Sequence, residues 1–530
     1  MSAARTLARA GLIVSSAFLV SRMLGWVRLV VMANALPPDT SNDLGAFFAA
    51  FRLPDLMFQL VAAGALSSAL IPVVSSVIAT DTHERAWRIV STVTNLMLIG
   101  LAVLGVIVFF GADTIVPAFT AGFDPDTMDL TIQLTRIMVL GPIFLALGAV
   151  ATSVLNAQGR FAAAALAPSV YNVAIIAATL ALAPSMGAVG LAIGVVAGSL
   201  GHLLVQLPPL RRLGFRYQPI IDLKDAAARQ ALVLMAPRAI GLGATQITFL
   251  VMTGLAAGAG GPTAVTAFTI AFTLLQIPVG VIGVPLAVVL FPSLSREVAI
   301  GNHREFVGLL TRALRFLTFV MLPIAVLTAI LAVEGVALLF RRFDQAAIEL
   351  TAVTLQAFLV GLVAHALIAV LARAFYALQD TRTPVAVAIM AVVINTTLAI
   401  QLVEPYGLPG MALAIALAAW LEAGVLAVLL RRRVGRLGFA AVAWLGVRTA
   451  LATAIAGVVA VFVHDTVGAR LAPDPSAGGS ADLLGLIGVI VIVAAAYTGV
   501  FVVASLALRI EELRSIVGIM VDALRRPRRS

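Results

Sequence analysis

Gly187-Ala188-Val189-Gly190-Leu191-Ala192 returns further along the chain as Gly407-Leu408-Pro409-Gly410-Met411-Ala412. The offset is the same at both glycines, 407 − 187 = 220 and 410 − 190 = 220. Gln158 and Gln379, each just ahead of a proline-bearing apolar run, differ by 379 − 158 = 221. Gly-x-x-Gly alone recurs by chance in glycine-rich membrane helices, but three matches near one offset point to an internal duplication. Long apolar runs flank every match, so what is duplicated is a set of membrane helices.

Composition agrees. Of 530 residues, 61% are hydrophobic and 11% charged, with mean hydropathy +1.08, whereas a soluble domain carries roughly 25% charged residues. The apolar runs recur so evenly that one helical membrane body of about fourteen spans is expected. Approximate spans are 9–34, 45–78, 87–111, 127–155, 161–183 and 187–209. A second set is 230–257, 263–294, 305–333, 346–377, 383–402 and 408–430, followed by an extra pair at 439–463 and 482–508. The domain reading is a six-helix lobe over 1–212, a second over 213–433, the extra pair over 434–508, and a basic amphipathic cytoplasmic tail over 509–530. Residues 472–481, rich in Pro, Gly and Ser, read as an extracytoplasmic loop. The first apolar stretch lacks a small-residue cleavage site and reads as a retained span. With no cysteine in the chain, disulfides and thiolate metal sites are excluded.

The net charge of +10 raises a nucleic-acid reading, which the placement of the bases removes. They gather in alternate loops: Arg5 and Arg9; Arg85 and Arg88; Arg160; Arg211, Arg212, Arg216, Lys224 and Arg229; Arg296 and Arg304; Arg382; Arg431, Arg432, Arg433 and Arg436; then Arg525, Arg526, Arg528 and Arg529. The intervening loops are poor in bases. By the positive-inside rule both termini are cytoplasmic and the span count is even. Arg341 and Arg342 lie on the opposite side, where a salt bridge with Asp344 or Glu334 is expected. Six spans per copy give the two copies the same orientation, an arrangement that encloses a central cavity open to either side in turn.

Polar residues inside spans are costly in hydrocarbon and mark the candidate site. Ser21, Gly25 and Arg28 share one face of span one at about 100° per residue, while Arg22 lies about 120° from Arg28. In span two, Arg52 and Gln59 are nearly eclipsed and Asp55 stands three residues from Arg52; Pro54 is expected to bend the helix. Thr266, Thr269, Thr273 and Gln276 form a polar stripe along span eight, and Arg238 lies inside span seven. Each has a duller reading: Arg52 as a structural bridge to Asp55, Arg28 snorkelling to headgroups, threonines bonded back to their own helix. No metal-ligand spacing, nucleophile elbow or phosphate loop appears, so neither an enzyme nor a cofactor is implied.

Several stretches together resemble the MurJ (MviN) lipid II flippases of the multidrug/oligosaccharidyl-lipid/polysaccharide exporter superfamily. They are Ser21-Arg22-Met23-Leu24-Gly25-Trp26-Val27-Arg28, Ala46 to Asp55 (AFFAAFRLPD), Gly64 to Pro72 (GALSSALIP), Gln206 to Gly214 (QLPPLRRLG), Phe291-Pro292-Ser293-Leu294-Ser295 and Phe375 to Pro384 (FYALQDTRTP). The resemblance implies a fourteen-helix flippase of the bacterial plasma membrane. Its partners would be membrane lipids and an undecaprenyl-pyrophosphate-linked peptidoglycan precursor, turned outward by alternating access. Arg22, Arg28 and Arg52 are the expected headgroup ligands, with Gln59, Arg238, Thr269, Thr273 and Gln276 on the cavity wall. Asp380 with Asn395 and Thr396 is a candidate monovalent cation site, and coupling to a cation gradient or to the membrane potential is expected.

This chain departs from the family pattern at charged positions. Leu29, Phe58, Ala63, Met252 and Phe272 stand where acidic or basic residues are usual. That leaves open a less charged or different lipid-linked glycan as cargo, and a small-molecule exporter of the same superfamily. A non-transporting scaffold fits less well, because no long soluble extension accompanies the spans.

Overall fold

The computed structural model describes residues 2–38, 41–63, 66–435, 438–471 and 480–514. Among them every regular element is helical. The packing divides into two units, residues 1–266 with 342–344, and 267–341 with 345–530.

The first unit opens with α1 (Ser2–Ala35) and α2 (Asp43–Phe58). Pro54 sits inside α2, and a π-helical turn over Gln59–Ala63 follows before α3 (Leu66–Thr80). The proline expected to bend span two therefore leads into a break in the hydrogen-bond register. Thr82 caps α4 (His83–Ile115) by accepting from Arg85 N. Asp124, followed by Pro125, caps α5 (Pro125–Met138). α6 (Gly141–Ala157) continues the same span after a two-residue break. α7 (Phe161–Met186), α8 (Ala188–Leu204) and the short α9 (Leu207–Arg212) follow. α10 (Ala226–Pro278) is two helices joined at Gly260 and Gly261, where the backbone leaves the helical region; the unit ends within its second part. Gly45 is obligatory, because a Cβ there would collide with the Pro262 carbonyl.

The second unit takes up the remainder of α10, then a π-helical turn over Val279–Gly283 and α11 (Val284–Ala299). Asn302 caps α12 (His303–Ile330), and α13 (Ala332–Leu339) lies at its end. α14 (Gln345–Leu359) and α15 (Leu362–Ala377) are together long and apolar enough for a span and are bent by 46° at their break. α16 (Arg382–Val434) is again two helices, broken at Gly407. α17 (Phe439–Leu471) and α18 (Ser480–Ala507) are the extra pair. Ala452, Ala456 and Ala460, all fully buried, form a small-residue edge on α17, which permits close helix approach. Val489, Val493, Tyr497 and Phe501 recur every fourth residue on α18 and join the same core with Phe319 of α12. The Tyr497 hydroxyl donates to the Pro323 carbonyl at 3.0 Å.

Ten helices among the described residues are long and apolar enough to cross a membrane, or up to eleven with the bent α14–α15 pair. Two of these, 246–299 and 382–434, contain the glycine breaks at 260–261 and 407. Large apolar side chains such as Phe110, Val289 and Val458 stand more than 70% exposed, as a lipid-facing surface requires. The expected loop at 472–481 falls almost wholly outside the described residues, as does the tail beyond 514.

The duplication extends through the backbone. The π-helical turns begin at Gln59 and Val279, and 279 − 59 = 220. α4 and α12 both begin at histidine, and 303 − 83 = 220. Gly187 (φ 55°, ψ −138°) and Gly407 (φ 59°, ψ −144°) adopt the same left-handed break. Gln379 (φ 58°) is matched by Gly159 (φ 69°) rather than by Gln158, again at 379 − 159 = 220. Both are the left-handed residue that ends a helix, so backbone conformation corrects the alignment by one position.

Arg342, which was expected to bridge to Asp344 or Glu334, has its backbone N–H and guanidinium hydrogen-bonded to Asn34 at 3.3 Å each. The partner of Glu334 is His464, whose Nε2 lies 2.6 Å from its carboxylate.

Candidate functional site

The shared face of Ser21, Gly25 and Arg28 on α1 packs against α7. Asn172 of α7 donates to the Ser21 carbonyl at 3.2 Å, and a Cβ at Gly25 would lie 3.8 Å from the same amide. One residue earlier, the Tyr171 ring sits with its centroid 5.6 Å from the Arg28 guanidinium. The ring face offers the guanidinium a partner that brings no negative charge of its own.

Arg52 of α2 is held in a similar way by the first helix of α10. Its Nε donates to Thr253 Oγ1 at 2.9 Å, and its guanidinium lies 5.5 Å from the Phe249 ring centroid. Thr253 bonds back to the Phe249 carbonyl at 2.8 Å, which fixes its hydroxyl as an acceptor for Arg52. Gln59 Nε2 stands 3.5 Å from Asp55 Oδ1, and Gln246 also hydrogen-bonds that carboxylate. Tyr171 lies within electrostatic reach of both Arg28 and Asp55. The structure thus gathers Arg28, Arg52, Gln59 and Asp55 into one polar cluster between helices α1, α2, α7 and α10 of the first unit.

Arg22 is exposed on α1. Arg238 lies where side chains are outside the described residues. Four members that the sequence reading missed are Tyr171, Gln246, Phe249 and Thr253. Their signal is a polar or aromatic residue at mid-helix in α7 and α10, which is legible only once the helix pairing is known. Leu29 and Met252, at positions usually charged in the family, are buried and supply no polar group.

In the second unit Thr269, Thr273 and Gln276 are half-buried on one helix face. Thr273 Oγ1 donates to the Thr269 carbonyl at 2.7 Å, the back-bonding that satisfies a hydroxyl within its own helix.

The structure does not bring together the proposed cation ligands. Asp380 Oδ1 accepts from the backbone N–H groups of Arg382 and Thr383 at 3.0 Å each, and Oδ2 accepts from the Thr383 hydroxyl at 2.5 Å. Arg433 completes the set at 2.8 Å. Burial opposes ionisation of Asp380, but the hydrogen bonds from Thr383 and the charge of Arg433 outweigh it and hold the carboxyl below its ordinary range. Asp380 therefore starts α16 as a capping residue. Asn395 and Thr396, bonded to each other at 3.2 Å, lie about 20 Å further along that helix at 1.5 Å per residue. Among the described residues there is no group of three His, Cys, Asp or Glu able to hold a metal.

A cluster holding two arginines inside a polytopic helical protein fits an anionic cargo that crosses the membrane. Comparison with known proteins agrees. The family model described as Lipid II flippase MurJ matches residues 36–473. The chain is 31% identical over 435 residues to the lipid II flippase MurJ of Burkholderia cenocepacia, covering 80% of this chain and 84% of that protein. It is 30% identical over 502 residues to the probable lipid II flippase MurJ of Rhizobium tropici, covering 91% of each. Among solved structures, a lipid II flippase MurJ in an inward closed conformation superposes with TM-score 0.74 at 22% identity, covering 92% of this chain and 98% of that one. An inward-facing MATE family transporter of the MOP superfamily superposes with TM-score 0.66 at 18% identity, covering 79% and 95%. The chain belongs to the lipid II flippase MurJ family.

Proposed function

We propose that this protein moves lipid II, the undecaprenyl-pyrophosphate-linked peptidoglycan precursor, from the inner to the outer leaflet of the bacterial plasma membrane by alternating access. The observation that carries the reading is the family match over residues 36–473, which includes the Arg52 half of the intramembrane cluster. A pyrophosphate leaving water needs cationic partners throughout its passage, because an unpaired charge in low dielectric is prohibitively costly. Arginine meets that need, since its guanidinium stays charged at any physiological pH and presents a fork of donors to phosphate oxygens. Arg28 and Arg52, each steadied by an aromatic ring, are the residues we assign to the headgroup, and Gln59 lines the same cluster. The further assignments of Arg22, Arg238, Thr269, Thr273 and Gln276 as cavity-wall residues belong to this proposal.

The proposal includes fourteen spans, two parallel six-helix lobes with an extra pair, and both termini in the cytoplasm, supported by the 220-residue duplication and the alternation of basic loops. It includes coupling to the membrane potential or to a monovalent cation gradient. With Asp380 engaged by Thr383 and Arg433, the potential is the driver we favour. The α17–α18 pair favours a lipid-linked cargo over a small-molecule exporter, because a helix pair added beyond twelve spans can flank a long polyprenyl chain.

Complementation of a conditionally flippase-deficient bacterium tests the cargo. The wild-type chain restores growth, and failure to do so would exclude lipid II. In a vesicle translocation assay, Arg28→Ala and Arg52→Ala each slow lipid II movement by roughly tenfold or more, the effect of losing one charge-assisted hydrogen bond. Wild-type rates in both variants would remove the arginines from the mechanism.

A further inference from the structure

A second polar cluster, on the side of the basic loops, takes no part in the site above. There α12, α17 and the chain leaving α18 enclose a cavity of about 220 Å³ whose wall includes Arg315, Trp444, Arg448, Arg509, Glu511 and Glu512. Three arginines against two glutamates leave one net positive charge. Arg315 is engaged by both carboxylates, with Nε 2.5 Å from Glu512 and a terminal nitrogen 3.5 Å from Glu511. Arg448 and Arg509 have no carboxylate within ion-pair distance among the described residues. The Arg448 guanidinium stands 5.0 Å from the centroid of Trp444, and Trp444 is 59% exposed, the position of an interfacial tryptophan.

Arg509 carries an independent signal. Its φ is 53°, in the left-handed region at the end of α18, where Arg509 N bonds to Leu506 O and Ile510 N to Ser505 O. That helix-ending motif ordinarily uses glycine, and Gly159 and Gly301 fill the same role at two other helix ends of this chain. A β-carbon there costs stability, yet the position carries a guanidinium on the cavity wall.

We propose that this cavity binds the headgroup phosphate of an anionic membrane phospholipid, with Arg448 and Arg509 as its ligands. The single net positive charge matches the single negative charge of a phosphodiester, and guanidinium forks suit its oxygens. Trp444 marks the boundary between headgroup and acyl chains, and the apolar wall of Leu445 and Ile510, both buried, gives a lipid contact that a phosphate ion from solution lacks. Which leaflet supplies the lipid rests on the orientation proposed above; the existence of the site does not.

The test uses full-length protein in phosphatidylcholine vesicles, with Trp444 fluorescence isolated as the difference between wild type and Trp444→Phe. Dibrominated phosphatidylglycerol quenches Trp444 at a lower mole fraction than dibrominated phosphatidylcholine. Arg448→Gln and Arg509→Gly each weaken that preference by roughly fivefold, the usual effect of one basic residue at an anionic surface. Arg509→Gly supplies the residue its backbone favours, so its loss of preference is not a folding defect. Arg431→Gln with Arg432→Gln, two exposed arginines elsewhere in this unit, leaves the preference intact, as does excess inorganic phosphate at constant ionic strength. Equal quenching by the two lipids would overturn the proposal. So would an unchanged preference in the two cavity variants, an equal loss in the control pair, or displacement by phosphate, which would mark a site for a soluble anion.

Discussion

Arg28 and Arg52 share a design in which an aromatic ring stands beside each guanidinium, its centroid 5.6 and 5.5 Å away. The face that carries Arg28 was legible from helical spacing alone, because Ser21, Gly25 and Arg28 recur at the angle of one helix side. Its partners were not, since Tyr171 and Asn172 lie on a helix far along the chain. The same scale offers a test of the duplication. Gly159 and Gln379 hold equivalent left-handed conformations at φ 69° and 58°, and nothing lies within 4 Å of where a Gly159 side chain would stand. Any cost there is conformational. Gly159→Ala is expected to lower stability by about 1 kcal/mol and Gln379→Gly to raise it by a similar or smaller amount, read as opposite shifts in the thermal unfolding of detergent-solubilised protein.

Among the elements, the spans were readable as apolar runs, but their interruptions were not. The breaks between α5 and α6 and between α14 and α15 fall at Gly141-Pro142 and at Gly361, where proline or glycine weakens the helix inside runs that otherwise read as continuous apolar spans. The extra pair was read as a pair; what holds it to α12 is a core of Ala452, Ala456, Ala460, Tyr497 and Phe501 with Phe319. Ala456 is 0% exposed, so Ala456→Leu overfills that seam and is expected to cost about 1–3 kcal/mol. Val458→Leu, at a position 73% exposed, is expected to leave thermal stability unchanged. Equal unfolding temperatures for the two variants would show that the pair is not packed as described.

For the molecule as a whole, the segment joining the two duplicated halves is ordered within the first unit. Residues 213–225 lie along α4, with Asn95 donating to the carbonyls of Gln218 and Ile220 at 3.1 and 2.8 Å. Gln218 N and Asp222 N donate to Ser91 and Thr92. Arg85 ties the end of this strap, bridging Asp225 at 2.8 Å and Asp81 at 2.5 Å. The hydrogen bonds from Arg85 hold both carboxyls below the ordinary value of 3.8. A depressed carboxyl contributes stability above its unfolded value and loses it as pH falls through the folded one. The strap is therefore expected to stay closed at neutral pH and to loosen only below about pH 3.8, seen as faster amide exchange over 217–225 after correction for intrinsic rates. Asp225→Asn should loosen it already at neutral pH; unchanged exchange in that variant would discount the bridge.

Sequence by itself determined the membrane class, the alternation of basic loops and the duplication, because hydropathy, charge and periodicity are properties of the chain in order. It also named the family through stretches that match one after another. Tertiary structure alone decided that Arg28 and Arg52 join one cluster, that Asp380 caps a helix instead of meeting Asn395 and Thr396, and that Gly159 is the counterpart of Gln379. The physical reason is common to all three. A side chain's partner is set by which helices pack and by the backbone angle at each break, and hydrocarbon surroundings make many helix pairings equally apolar until close packing and hydrogen bonding select one.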